Sequence, residues 1–320
     1  MESVQEKTKE YERYLIRDHR LNLIPEVETK LKRYEVPKST EETQLFEYAD
    51  SWSRARQEIC EVPGYTFPVQ NIFLLSKEGF RAMTGSRSDG VAHTELQRIV
   101  AIARSNTFIL TGVVMHEMMH CKGKIVIELI QQGDSLHENT LRRGLGVLSP
   151  HKRNQAGEHH VHLGGLEEAV VAQEEVYFYS DLLTRPEFRD LKEQMGSGDG
   201  RQERKNILAQ EKLDEDDLAW FDSKSRKYEV VGYPLQRRVL RYMCQEIALA
   251  TRSTDNEVYF QFLKSHFTGH LLEVARAVEE TFGKGSFRRL GDMGTDKGSA
   301  VQTLEALKKM RMNMLKDSKK

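Results

Sequence analysis

His116-Glu117-Met118-Met119-His120 places two imidazoles four residues apart, with a carboxylate directly after the first. On an α-helix, residues four apart lie one above the other on one face. Both histidines can then bind a single ion while the glutamate projects toward an adjacent position. Zinc chemistry needs this spacing: fixed nitrogen ligands at about 2.0–2.1 Å, and a carboxylate close enough to take a proton from an activated water. The pentapeptide also arises by chance in chains of ordinary composition, so its surroundings have to carry the argument.

Those surroundings begin with Thr107-Phe108-Ile109-Leu110-Thr111-Gly112-Val113-Val114, apolar on nearly every side, with Ser105 or Asn106 available as an N-cap. The spacing predicts a buried helix from there through the two histidines to about residue 130. Three ionisable side chains late in such a helix cost free energy unless they are bound to something. Upstream, Asn71-Ile72-Phe73-Leu74-Leu75 reads as a strand, residues 85–90 as a loop, and residues 96–102 as a second, antiparallel strand leading into the helix. Downstream, residues 145–148 and 158–162 read as the arms of a hairpin. Gly164-Gly165 then opens another helix, from Leu166 to about Leu183, with Glu167 and Glu168 in its first turn.

The pentapeptide followed by Gly164-Gly165-Leu166-Glu167-Glu168-Ala169-Val170 resembles the gluzincin arrangement of thermolysin-like metallopeptidases, over roughly residues 70–185. In that arrangement the third ligand is a glutamate on a second helix. Matching position by position gives Glu168, with Glu167 the alternative. The resemblance implies one Zn2+ per chain held by His116, His120 and Glu168, with Glu117 as the general base that activates water against a peptide bond of a peptide or protein substrate. It also implies a Tyr or His from downstream as a donor to the oxyanion: Tyr233 is the first candidate, and Tyr177, Tyr179, His266 and His270 compete with it. The alternative reading is a zincin-like module that binds metal without catalysis. Two departures narrow the resemblance. A metzincin extension needs Gly at 123 and His at 126, and Gly123 is present but position 126 is Val126; the Asp that orients the first zinc histidine, four residues after the ligand glutamate, is here Ala172.

Other chemistry-bearing residues have simpler readings. In His159-His160-Val161-His162, a strand puts His160 and His162 on one face and His159 on the other, so at most two converge, and an exposed polar hairpin accounts for them. Cys121 points about 100° away from His120 around the helix, which makes it a buried, inert thiol. Cys60, Cys121 and Cys244 form no C-x-x-C pair, so neither a disulfide framework nor a thiolate metal site is expected. Gly283-Lys284-Gly285 is a turn, and the basic stretch from Lys308 to Lys320 a solvated helix end.

The chain that must position these groups has 320 residues, ample for one large domain or two lobes. Lys and Arg number 48 against 49 Asp and Glu, so no global field draws it to nucleic acid. No run approaches eighteen apolar residues, which argues against a membrane span, and the first twenty residues alternate acids and bases where a signal peptide would be apolar. The expectation is a cytoplasmic protein. The expected fold is α+β: a zincin-like lobe with a small mixed or antiparallel sheet and an active-site helix, plus a mostly helical C-terminal lobe. The expected divisions are residues 1–62, a charged helical N-terminal segment with Tyr11, Tyr14, Leu15 and Leu21 at helical spacing; 63–185, the metal-binding lobe; 186–229, a charged linker; and 230–320, the helical lobe. In the last of these, Pro234 suits a first helical position, and Leu235, Val239, Leu240, Met243 and Ile247 follow helical spacing. Two further helical segments flank Gly269 and Gly283.

Overall fold

Short apolar runs next to long helical ones give an α+β fold, as expected. The computed structural model describes residues 24–317 apart from 87, 94–97, 105, 133–134, 154–158, 189–207, 210–218, 223–226 and 231. The expected N-terminal pattern at Tyr11 to Leu21, and most of the charged stretch after residue 188, lie outside the described residues. By contacts the chain forms two compact units. The first comprises Met1–Asp50 and Phe67–Cys121, and the second Ser51–Thr66 and Lys122–Lys320. No described helix is long and apolar enough to cross a membrane.

The first unit holds α1 (Ile24–Tyr34), the opening half of α2 (Thr40–Ile59), β1 (Ile72–Leu75), α3 (Lys77–Thr84), β2 (Gly90–His93), β3 (Arg98–Ile102) and α4 (Thr107–Lys122). Its sheet has the order β1-β3-β2, with β1 parallel and β2 antiparallel to β3. The expected antiparallel strand just before the long helix is therefore the central one, flanked by β1 and by β2, whose four residues start where the expected loop ends. All four residues of β1 are buried, which explains why its sequence has no alternation. Leu31, Phe73, Leu75, Phe80 and Val100 form one core cluster. The helix α3 was also missed in sequence. Its cap is local, with Ser76 Oγ accepting from the Gly79 N–H at 3.0 Å and Gly85 ending it in the left-handed region at φ 63°.

Helix α4 stops at Lys122, not near residue 130. Gly123 follows, and Ile125-Val126-Ile127 is a β-branched run that favours a pleated strand over a helix. That strand, β4 (Ile125–Gln132), starts an antiparallel meander in the second unit with β5 (Ser135–Arg143), β6 (Gly146–Arg153) and β7 (His159–His162), in the order β4-β5-β6-β7. The expected hairpin is the β6–β7 pair, with Leu148 opposite Val161. Helix α5 (Gly164–Leu182) follows, and in the stretch expected to be linker β8 (Ala219–Asp222) pairs with β9 (Lys227–Val230). The remainder is helical: α6 (Pro234–Thr251), α7 (Asp255–Thr268), α8 (Leu272–Phe282), α9 (Ser286–Gly291) and α10 (Lys297–Asp317). Pro234 sits at the start of α6, and Val239, Leu240, Met243 and Ile247 are buried to 1% exposure or less.

One ion pair is central to the second unit. Arg56, near the end of α2, donates from Nε and Nη2 to the two carboxylate oxygens of Glu174 on α5, both at 2.7 Å. Tyr259 Oη donates to the same carboxylate at 2.7 Å. The guanidinium lies 4.8 Å from the ring centre of Phe260 and 5.2 Å from that of Trp52, and Tyr177 adds a third face. Burial works against the Arg56 charge, yet the bond to Glu174 and its field outweigh it and raise the pKa. Burial and then the Glu174 charge push the Tyr259 hydroxyl well up, so it stays a donor.

Candidate metal centre

Helix α4 is capped as expected: Asn106 Oδ1 accepts from the Phe108 and Ile109 N–H groups at 3.1 and 3.3 Å. Phe108, Ile109, Leu110, Val114, Met115, Met118 and Met119 are buried, at about 1.5–3 kcal/mol for each large apolar side chain withdrawn from water. Val113, His116, Glu117 and His120 are half-buried. Those four positions are spaced i, i+3, i+4, i+7, a single stripe along an otherwise enclosed cylinder. The rings of His116 and His120 stand 5.0 Å apart at 76°. Cys121 is off the stripe, buried, with its thiol toward the Arg98 carbonyl of β3 at 3.9 Å, as its helical direction required.

Strand β2 begins against this stripe. A Cβ on Gly90 would stand 2.6 Å from Val113 Cγ1, 3.0 Å from Glu117 Cγ and 3.2 Å from Glu117 Oε1. Glycine is thus the residue that lets the edge strand approach the Glu117 carboxylate. Gly90 closes the expected loop, and its contact with α4, 23 and 27 residues further along the chain, leaves no signal in the sequence.

The start of α5 is fixed from the C-terminal part of the chain. Leu163 precedes the helix in the left-handed region at φ 62°, and its N–H donates to the Gly291 carbonyl at 2.8 Å. Gly165 N–H donates to the Met293 carbonyl at 3.0 Å, and a Cβ there would lie 2.5 Å from the Gly294 carbonyl oxygen. The glycine pair visible in the sequence therefore marks a close backbone contact as well as a helix start.

From this first turn the two glutamates diverge by about 100°. Glu167 is 4% exposed. Its Oε2 accepts from the Leu145 N–H at 2.7 Å and lies 3.0 Å from His266 Nδ1. Glu168 is half-buried, and it comes together with the two histidines: His116, His120 and Glu168 each offer a ligand atom, and these atoms all lie within 4.8 Å of one another. Two imidazole nitrogens and one carboxylate oxygen, each partly open to solvent, form a donor set that suits a divalent metal with three protein ligands and a free position. Ala172, one turn after Glu168, is fully buried and offers no carboxylate to orient a ligand.

The other candidates fall elsewhere. Tyr179 and His266 have no exposed surface, so neither can meet an incoming substrate. Tyr177 packs edge-on against Tyr259, 5.4 Å between ring centres, beside Arg56. Tyr233 is half-buried and precedes α6 in the left-handed region at φ 53°. His270 is exposed just beyond α7. His162 is half-buried with Nδ1 3.9 Å from Asp292 Oδ1, while the side chains of His159 and His160 lie outside the described residues. Gly283 and Gly285, at φ 93° and 90°, form the expected turn between α8 and α9. Compared with known proteins, the chain matches no family model, no curated protein and no solved structure.

Proposed function

We propose that this protein is a zinc-dependent metallopeptidase of the gluzincin kind, cytoplasmic, acting on peptide or protein substrates. The observation that carries the reading is the convergence of His116, His120 and Glu168 within 4.8 Å, with Glu117 on the same half-open stripe of α4. Zinc held by such a donor set supplies a Lewis acid for the scissile carbonyl and brings the pKa of a bound water to about 7. In this reading His116, His120 and Glu168 bind the ion. Glu117 accepts the proton of the attacking water on its carboxylate and hands it to the leaving amine. Strand β2, at the edge of its sheet, offers backbone groups to an extended peptide beside that carboxylate. Of the five named oxyanion donors, full burial removes Tyr179 and His266, which leaves Tyr233, Tyr177 and His270.

The test combines metal analysis with peptide-library hydrolysis. Wild-type protein is expected to carry about one zinc per chain and to cleave a subset of peptides. Glu117→Gln should keep the metal and lose activity by roughly 10²–10⁴-fold, and Glu168→Ala should lose metal. Protein that binds no divalent metal refutes the reading. Metal without turnover points to the zincin-like binding module instead.

A further inference from the structure

We infer that His266 is a positioning residue for the metal centre, acting through Glu167 on the helix that carries Glu168; this rests on the metal reading of the triad. His266 lies in the last turn of α7 and has no exposed surface. It bonds in two directions. Its backbone carbonyl accepts from the Lys124 N–H at 2.9 Å, two residues beyond the end of α4 and four beyond His120. Its Nδ1 pairs with Glu167 Oε2 at 3.0 Å, one residue before Glu168.

Two further bonds close the arrangement. Glu167 Oε2 also accepts from the Leu145 N–H, and the Lys124 carbonyl accepts from the Gly144 N–H at 2.8 Å. The chain leaving α4, the β5–β6 turn and the first turn of α5 are thus joined in one hydrogen-bonded ring through Lys124, His266 and Glu167. Space for the imidazole is made by two glycines. A Cβ on Gly123 would lie 2.8 Å from His266 Cε1, and one on Gly144 would lie 2.5 Å from Nδ1 and 2.3 Å from Glu167 Oε2. Gly144 also holds φ 55°, so a side chain is disfavoured there on both counts.

The consequence follows from helix geometry. With the Glu167 carboxylate held from two sides, the first turn of α5 is restrained, and with it the direction in which the neighbouring Glu168 leaves the helix. The same residue, His266, also holds the backbone of Lys124, four residues after His120. Ligand distances to a metal tolerate only about ±0.2 Å, and groups that orient ligands from outside the coordination sphere are worth roughly 10–100-fold in metal affinity.

The experiment measures Zn2+ affinity by competition with a chromophoric chelator, the visible spectrum of the Co2+ form, and thermal unfolding of the metal-free protein. It compares wild type, His266→Leu, His266→Asn and Glu167→Gln. His266→Leu should weaken Zn2+ binding by about 10–100-fold and alter the Co2+ bands. His266→Asn keeps a donor near the position of Nδ1 and should restore most of the affinity. Glu167→Gln is isosteric and can still accept from Leu145, so it keeps the inference falsifiable if His266→Leu does not fold; a several-fold loss is expected. Wild-type affinity and spectrum in folded His266→Leu or in Glu167→Gln would reduce His266 to a packing residue and overturn the inference while leaving the triad reading intact. Wild-type protein that binds neither metal overturns both.

Discussion

Replacing Arg56 by Met tests the account of how α5 is held. Glu174 has no exposed surface, and the Arg56 side chain is only 14% exposed, so solvent screens the pair weakly. Met keeps much of the apolar contact with Trp52, Tyr177 and Phe260 but removes both charge-assisted bonds. The Glu174 carboxylate is left with Tyr259 Oη as its bonded donor from this cluster. Breaking one side of a buried pair costs about 3–5 kcal/mol, most of it the stranded charge. At roughly 2 °C per kcal/mol for a chain of this size, the melting temperature should fall by about 6–10 °C. The double variant Arg56→Met/Glu174→Gln removes the stranded charge while a Gln oxygen can still accept from Tyr259, and it should recover most of the loss. Urea and thermal unfolding followed by tryptophan fluorescence, with Trp52 inside the cluster, measure the cycle. A loss under about 1 kcal/mol for Arg56→Met, or a double variant no better than the single one, would refute the claim that this pair anchors α5.

Gly90→Ala places a methyl 2.6 Å from Val113 Cγ1 and 3.0 Å from Glu117 Cγ, so strand β2 or the Glu117 side chain must move. A stability loss of about 1–3 kcal/mol is expected, with peptide hydrolysis reduced and zinc retained, and Val113→Ala in the same chain should relieve part of it; full activity in Gly90→Ala would show that β2 does not set Glu117. Burial, followed by the Glu174 charge, pushes the Cys60 thiol up to about 11. An unfolded cysteine ionises near ~8.5, so between these values the unfolded chain has released a proton that the folded chain keeps. The Cys60 contribution to stability should therefore be lost as pH rises through that window, so that the fall over it is less steep in Cys60→Ala, as read by urea unfolding at several pH values. An unchanged slope in Cys60→Ala would place the effect on another group.

Local chemistry was legible where it depends on neighbours in sequence. Asn106 caps α4, Pro234 opens α6, and the glycine pair opens α5, because each effect acts within one turn of chain. The stop of α4 was misplaced because apolar character continues through residues 125–130, and the switch is made by Gly123 and β-branching, not by polarity. Strand β2 was missed because four residues carry too little pattern, and it owes its place to pairing with β3.

The same division runs through the candidate centre. Spacing alone put His116 and His120 on one face with Glu117 beside them, since a helix fixes the relation of residues three and four apart. Spacing could not choose between Glu167 and Glu168, which follow one another in sequence and differ by about 100° in direction. The fold separates the two: Leu145 and His266, 22 and 99 residues from Glu167 along the chain, hold its carboxylate, while Glu168 converges with the two histidines in a group that could hold a metal. Partners so distant in sequence leave no periodic trace, and only the folded chain brings them together.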